Sequence, residues 1–124
     1  MRRDRRGEMD SKPTSASFAR YERLTRHSEF ARVYAHGEKH ISSSVILYSF
    51  IVCQRPYRRL GVVVSKKVGN AVTRNRCKRV IREIFRTHKA WFPQGADLVV
   101  IVRRAMVNKP YQTVEEELCR IFHP

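Results

Sequence analysis

KKVGNAVTRNRCKRVIREIFR, Lys66 to Arg86, is the stretch from which the rest of the chain can be read. It holds eight Lys or Arg and one acid, Glu83, yet threads Val72, Cys77, Val80, Ile81, Ile84 and Phe85 between them. At the helical step of about 100° per residue, Cys77, Val80, Ile81 and Ile84 share one arc, with Phe85 at its edge. Asn75, Lys78, Arg79, Arg82 and Arg86 fall on the opposite side. The spacing therefore predicts a helix from about Ala71 to Lys89 that packs by one face and presents cations on the other. Arg74 lies on the core side but in the first turn, where it can project past the helix end, over the sheet. Gly69-Asn70 punctuates the chain before the helix. Free N–H groups and the positive end of the helix dipole favour an anion at that start, and Lys66 and Lys67 add charge there. A merely solvated helix face is the plain alternative. Without i,i+4 acids to balance it, such a stripe would repel itself.

The segments around this helix read as strands. SVILYSFIV, Ser44 to Val52, is β-branched and aromatic; Ile46, Tyr48 and Phe50 alternate with Val45, Leu47 and Ile51. Both faces are apolar, so both need at least partial cover. RLGVVVS, Arg59 to Ser65, and ADLVVIVR, Ala96 to Arg103, are two more strands, and a short one is expected near Lys39 to Ser42. CQRPYRR supplies a loop at Pro56, and Trp91, Phe92, Pro93 and Gly95 end the basic helix. Before the strands, Ser28 is the expected N-cap of a short helix carrying Phe30, Val33 and Tyr34, closed by Gly37 in a left-handed conformation. After the last strand, Pro110 marks a break and Thr113 with Glu116 reads as the capping box of a final helix. Strands mixed with helices in this order predict an α+β sandwich with helices covering a sheet.

Composition restricts function. The chain has 124 residues, enough for one domain over residues 18–124 preceded by a polar, basic, disordered arm over 1–17. Lys and Arg number 26 against 11 acids, a formal charge of +15. Such self-repulsion calls for a polyanionic partner, nucleic acid first and an anionic membrane surface second. No run of eighteen apolar residues and no h-region after the N-terminus is found, so a cytoplasmic location without membrane partners is expected. Cys53, Cys77 and Cys119 form no CxxC, and the five histidines form no metal-binding pair on a helix; no metal site and no protein-bound cofactor is expected. The acids do not converge near the cationic face, and no histidine pair has usable spacing, so no side chain is expected to be catalytic.

SKKVGNAVTRNRCKRVIREIFR closely resembles the signature of the bacterial ribonuclease P protein component. It contains the Arg-Asn-Arg triplet as Arg74, Asn75 and Arg76, followed by Lys78-Arg79. RLTRHSEFARVYAHG resembles the family's first helix, and ADLVVIVRRAMVNKPYQTVEEELCRIF its last strand and helix. The resemblance implies a two-layer α/β sandwich of order αβββαβα. Its sheet would be mixed with a left-handed βαβ crossover, like the second domain of the fifth small-subunit ribosomal protein. It implies a subunit of the tRNA 5′-processing endoribonuclease, in which a magnesium-dependent RNA performs the chemistry and no further protein partner is required. Ribonuclease P RNA and the 5′ leader of precursor tRNA would be the partners. By the same resemblance, Lys66, Lys67, Asn70, Arg74, Asn75, Arg76, Lys78, Arg79 and Arg82 would face the RNA subunit. Phe30, Tyr34 and Tyr48 would line a leader cleft between the first helix and the sheet, in keeping with stacking of single strands on aromatic faces. On pattern alone, Phe30 and Tyr48 read equally as core. A structural RNA binder of ribosomal type would need no exposed single-strand path. A membrane-surface protein would turn the helix's apolar face outward rather than onto the sheet.

Overall fold

Ala96–Val102 forms a strand buried along almost its whole length, and the architecture is built on both of its sides. The computed structural model describes residues 20–52 and 56–123; the expected arm over residues 1–17 and Cys53 lie outside them. The elements are α1 (His27–His36), β1 (Glu38–Ile41), β2 (Val45–Ile51), β3 (Arg59–Val63), α2 (Ala71–Thr87), β4 (Ala96–Val102) and α3 (Tyr111–Phe122), with short 3-10 turns between some of them. The sheet order is β1-β2-β4-β3. β2 runs antiparallel to both β1 and β4, while β3 and β4 are parallel neighbours joined through α2. The expected α+β sandwich with a mixed sheet is the observed fold, and the short strand near Lys39 is real.

Pleat alternation distributes the residues between two layers. Val45, Leu47, Leu60, Leu98, Val100 and Val102 face Cys77, Ile81, Ile84 and Phe85 of α2 and Val114 and Leu118 of α3, in one buried cluster. Burying each such aliphatic or aromatic side chain contributes about 1.5–3 kcal/mol before chain entropy is counted. On the other side Val33 of α1, Leu24 and Val99 form a smaller core, flanked by half-buried Phe30, Tyr48, Phe50, Val63 and Ile101. One short helix cannot cover four strands, so this second face stays partly open.

A buried ionic network fastens α1 to the open face. Asp97, fully buried in β4, accepts two bonds from Arg59 of β3, at 2.9 Å from Nε and 2.8 Å from Nη2. Arg59 reaches Glu29 of α1 at 2.6 Å, and Arg32 of α1 lies 3.4 Å from Asp97. The bonds to Asp97 raise the Arg59 guanidinium further, against the opposing effect of burial. Burial works against ionised Glu29, but Arg59 and the Arg26 N–H outweigh it and lower its carboxyl.

Three helix ends differ from expectation. α1 begins two residues earlier, with Arg26 rather than Ser28 at the N-cap; the Glu29 carboxylate accepts the Arg26 N–H at 3.3 Å and takes the capping role. Gly37 is extended, with φ −79° and ψ 158°, because the chain enters β1 at the next residue. Glycine is needed there for space, since a Cβ would lie 2.4 Å from the Val33 carbonyl oxygen. α3 starts at Tyr111 behind Pro110, which serves as N-cap, so Thr113 sits inside the first turn and Glu116 reaches forward to Arg120. Pro110 has no N–H to donate and its ring fixes φ for helix entry, which advances the start past the Thr113 signal.

Candidate nucleic-acid interface

Asn70 sets the beginning of α2. Its side-chain oxygen accepts the Thr73 N–H at 2.9 Å, so one of the first-turn donors is already taken by the protein itself. Cys77, Ile81, Ile84 and Phe85 are buried against the sheet and Val80 is half-buried, as the angular reading requires. Lys66 and Lys67 are exposed in the loop before the helix. That loop is held by Arg104, whose guanidinium donates to the Lys67 carbonyl at 3.0 and 3.3 Å. Arg74 does turn back past the helix start, but it ends on the Gly69 carbonyl at 2.9 Å rather than over the sheet. It therefore stiffens the loop that carries Lys66 and Lys67.

The remaining cations separate around the helix. Arg76, about 100° around the axis from Asn75, turns toward the 3-10 turn after β4 and approaches the Val107 carbonyl at 3.4 Å. Lys78 is half-buried on the opposite flank. Asn75, Arg79 and Arg82 line a shallow groove with Glu83, Arg86 and Arg23. Arg86 is tied to Glu83, its Nε at 3.1 Å from the carboxylate. Among the described residues no carboxylate lies within ion-pair distance of Arg79 or Arg82. Burial and the nearby Arg23 lower the Arg82 guanidinium, the second effect being direct repulsion between like charges.

On the opposite face of the sheet, Tyr34 of α1 meets Tyr48 of β2 edge to face, with ring centroids 5.1 Å apart. Lys39 stands over the Tyr48 ring at 5.8 Å, and Arg32 over the Phe50 ring at the same distance. Tyr34 is 39 % exposed. Burial and the neighbouring Tyr48 raise its phenol, so it stays neutral at physiological pH. Phe30 is half-buried, its ring lying against Gly61 and Leu24. Phe30 and Tyr48 are thus both core and wall: each packs against the second cluster while keeping part of its surface open. Sequence reading passed over Arg23, Arg104, Lys39 and Arg32. The dibasic Arg103-Arg104 directly after a strand was a usable signal, whereas nothing local marks Arg23.

The family model described as Ribonuclease P matches residues 18–124. The chain belongs to the ribonuclease P protein family. It is 35% identical over 100 residues to the ribonuclease P protein component of Bacillus cereus strain 03BB102, covering 81% of this chain and 87% of that one. With the ribonuclease P protein component of Desulfosudis oleivorans it shares 37% over 110 residues, 89% of this chain and 90% of the relative. Among solved structures it resembles the RNase P protein of Staphylococcus aureus, with a TM-score of 0.74 at 31% identity over 82% of this chain and 93% of that one. The RNase P protein of Thermotoga maritima gives 0.73 at 33% identity, covering 82% and 94%. Membership in the ribonuclease P family makes the chain a protein component of tRNA processing, with a role in an endoribonuclease holoenzyme. Among the described residues, no group of three or more His, Cys, Asp or Glu could hold a metal ion, and no helix is long and apolar enough to cross a membrane.

Proposed function

We propose that this chain is the RNA-binding subunit of a cytoplasmic ribonuclease P, in which it holds the catalytic RNA by the outer face of α2 and the precursor-tRNA leader by the cleft beside α1. The observation that carries the reading is the separation of two chemistries by one sheet. On one side stand Arg79 and Arg82, with no carboxylate in ion-pair distance among the described residues; on the other, an edge-to-face tyrosine pair flanked by Lys39 and Arg32. Clustered guanidinium groups suit a phosphate backbone, whose condensed counterions are released on binding. Exposed aromatic edges and faces suit unstacked bases.

In this reading the protein performs no bond chemistry. Of the two buried acids among the described residues, Asp97 is bonded to Arg59 and Arg32, and Glu22 to Lys89. Magnesium would instead serve the RNA, and the protein's cations would lower the concentration needed by screening phosphates where the subunits meet. The test is reconstitution with a bacterial ribonuclease P RNA at low magnesium, scoring cleavage of precursor tRNA. Cleavage that depends on the protein supports the reading. Equal cleavage with and without it, at every magnesium concentration, rejects it.

A further inference from the structure

β2 turns both Tyr48 and Phe50 to the α1 side of the sheet, because alternate residues of a strand share a face. Two residues of antiparallel strand span about 6.8 Å, twice the spacing of about 3.4 Å at which bases stack along a strand. Successive bases pulled out of their stack to that spacing each meet a ring of their own.

The surroundings of the two rings repeat as well. Tyr48 has Tyr34 of α1 edge to face against it and the Lys39 ammonium 5.8 Å from its centroid. Phe50 has His36 of α1 beside it, with centroids 6.0 Å apart and planes tilted by 39°, and the Arg32 guanidinium 5.8 Å from its centroid. Arg32 and His36 are four residues apart, so one face of α1 supplies both. Each station therefore combines a ring from β2, a ring from α1 and a cation.

Phe50 packs against the second core, yet it also has an open side. With His36, Glu38, Ile51 and Pro93 it lines a hollow of about 400 Å³ that opens to solvent, and Ile51 at its edge is 61% exposed. Glu38 is exposed and stands 3.4 Å from His40. A carboxylate there repels phosphate but accepts a hydrogen bond from the exocyclic amine of a base. Arg32, held 3.4 Å from Asp97, keeps part of its guanidinium exposed, a planar group that stacks on a base or meets its phosphate. The hollow thus suits an unpaired nucleotide with its base inward.

We propose that the cleft beside α1 is a track of two nucleotide stations, and that Phe50, His36 and Arg32 form the second. It takes the leader base adjoining the one held at Tyr34 and Tyr48. The proposal rests on the functional reading above and deepens it, by giving the leader path a length and a second set of contacts.

The experiment uses holoenzyme reconstituted from the full chain and a bacterial ribonuclease P RNA. Affinity is measured for mature tRNA and for precursor tRNAs whose leaders are shortened one nucleotide at a time. Wild type is compared with Tyr34→Ala, Phe50→Leu, which keeps apolar volume for the core, and Phe50→Tyr, which keeps a ring. In wild type, two adjacent leader nucleotides should each add a step of about 5–150-fold in affinity, the worth of one stacked base. Tyr34→Ala should remove one step, Phe50→Leu the adjoining one, and Phe50→Tyr neither; all four should bind mature tRNA alike. If Phe50→Leu keeps both steps, or loses the same one as Tyr34→Ala, there is a single station: the proposal falls and the leader cleft stands. If Phe50→Tyr loses as much as Phe50→Leu, or mature tRNA binding falls in parallel, the effect is one of packing and the second station is refuted. If leader length leaves wild-type affinity unchanged, the leader cleft and its second station fall together.

Discussion

Gly61 and Phe30 are in such close contact that a Cβ on the glycine would lie 2.5 Å from Cε1 and Cζ of the ring. The first turn of α1 thus rests on bare β3 backbone, and the absence of a side chain at one strand position sets how near the helix can come. Replacing Gly61 with alanine must displace the ring or the helix. The expected cost is about 1–3 kcal/mol, measured as a lowered urea midpoint. An unchanged midpoint would mean that Phe30 can swing aside freely.

Tyr34 tests the cleft with little risk to the fold, because it is the more exposed member of its pair. Tyr34→Ala should weaken binding of precursor tRNA by about 1–3 kcal/mol, the usual worth of one stacked base, and leave mature tRNA unaffected. Tyr34→Phe should bind both as wild type does. Equal losses for the two RNAs on Tyr34→Ala would remove the leader from the cleft.

Arg74 and Arg76 should respond differently although they flank the same asparagine. Arg74 is bonded to the Gly69 carbonyl, so Arg74→Ala should loosen the loop carrying Lys66 and Lys67 as well as remove a charge. Among the described residues Arg76 makes a long contact to Val107, and Arg76→Ala should chiefly reduce the salt slope for the RNA subunit, by about one phosphate contact. Hydrogen exchange of residues 65–70 together with a salt titration separates the two effects. Faster exchange with Arg76→Ala but not with Arg74→Ala would reverse the assignment.

Asp97 should be the acid least tolerant of change. Asp97→Asn removes the carboxylate that accepts two bonds from Arg59, whose 18% exposed guanidinium then has Glu29 as its carboxylate partner among the described residues. Breaking a buried pair from one side costs about 3–5 kcal/mol, whereas Arg120→Ala, at an exposed pair, should cost under about 1 kcal/mol. Similar denaturation midpoints for the two variants would show that water repairs the Asp97 site.

Acid should destabilise the fold in part through Glu117. Burial alone would raise this carboxyl, but Lys109, the Ser44 hydroxyl and the Ser44 N–H outweigh it and hold it at about 2. Because the folded value lies below the ordinary 4.5, the stabilisation is complete above about pH 4.5 and is lost as pH falls toward 2. Glu117→Gln should flatten that part of the stability profile and lower the plateau at pH 7. A profile unchanged in shape would place the acid sensitivity elsewhere.

The basic helix was legible because helical geometry alone assigns its residues to faces, and Cys77, Ile81, Ile84 and Phe85 are buried where the angles put them. The strands were legible for the same reason, through alternation. Helix ends were less so: Ser28 and Thr113 are good capping residues, but Glu29 and Pro110 compete within one or three positions, and local propensity does not rank them. Least legible were contacts closed by the fold. Asp97 lies in an apolar strand 38 residues from Arg59 and 65 from Arg32, and no pattern along the chain joins them. Arg23 likewise shares a groove with Arg79 and Arg82 only because Glu22 and Leu24 pin its segment.

The alternation along β4 has a consequence for how the molecule can vary. Residues 98, 100 and 102 report to the α2–α3 layer, while 97 and 99 report to the α1 layer and 101 lies at its open margin. One strand therefore serves as two separately adjustable controls, interleaved one residue apart. A volume change at Val100 would shift the seat of the arginine helix, and one at Val99 the seat of the tyrosine helix, so drift in either surface can proceed without retuning the other.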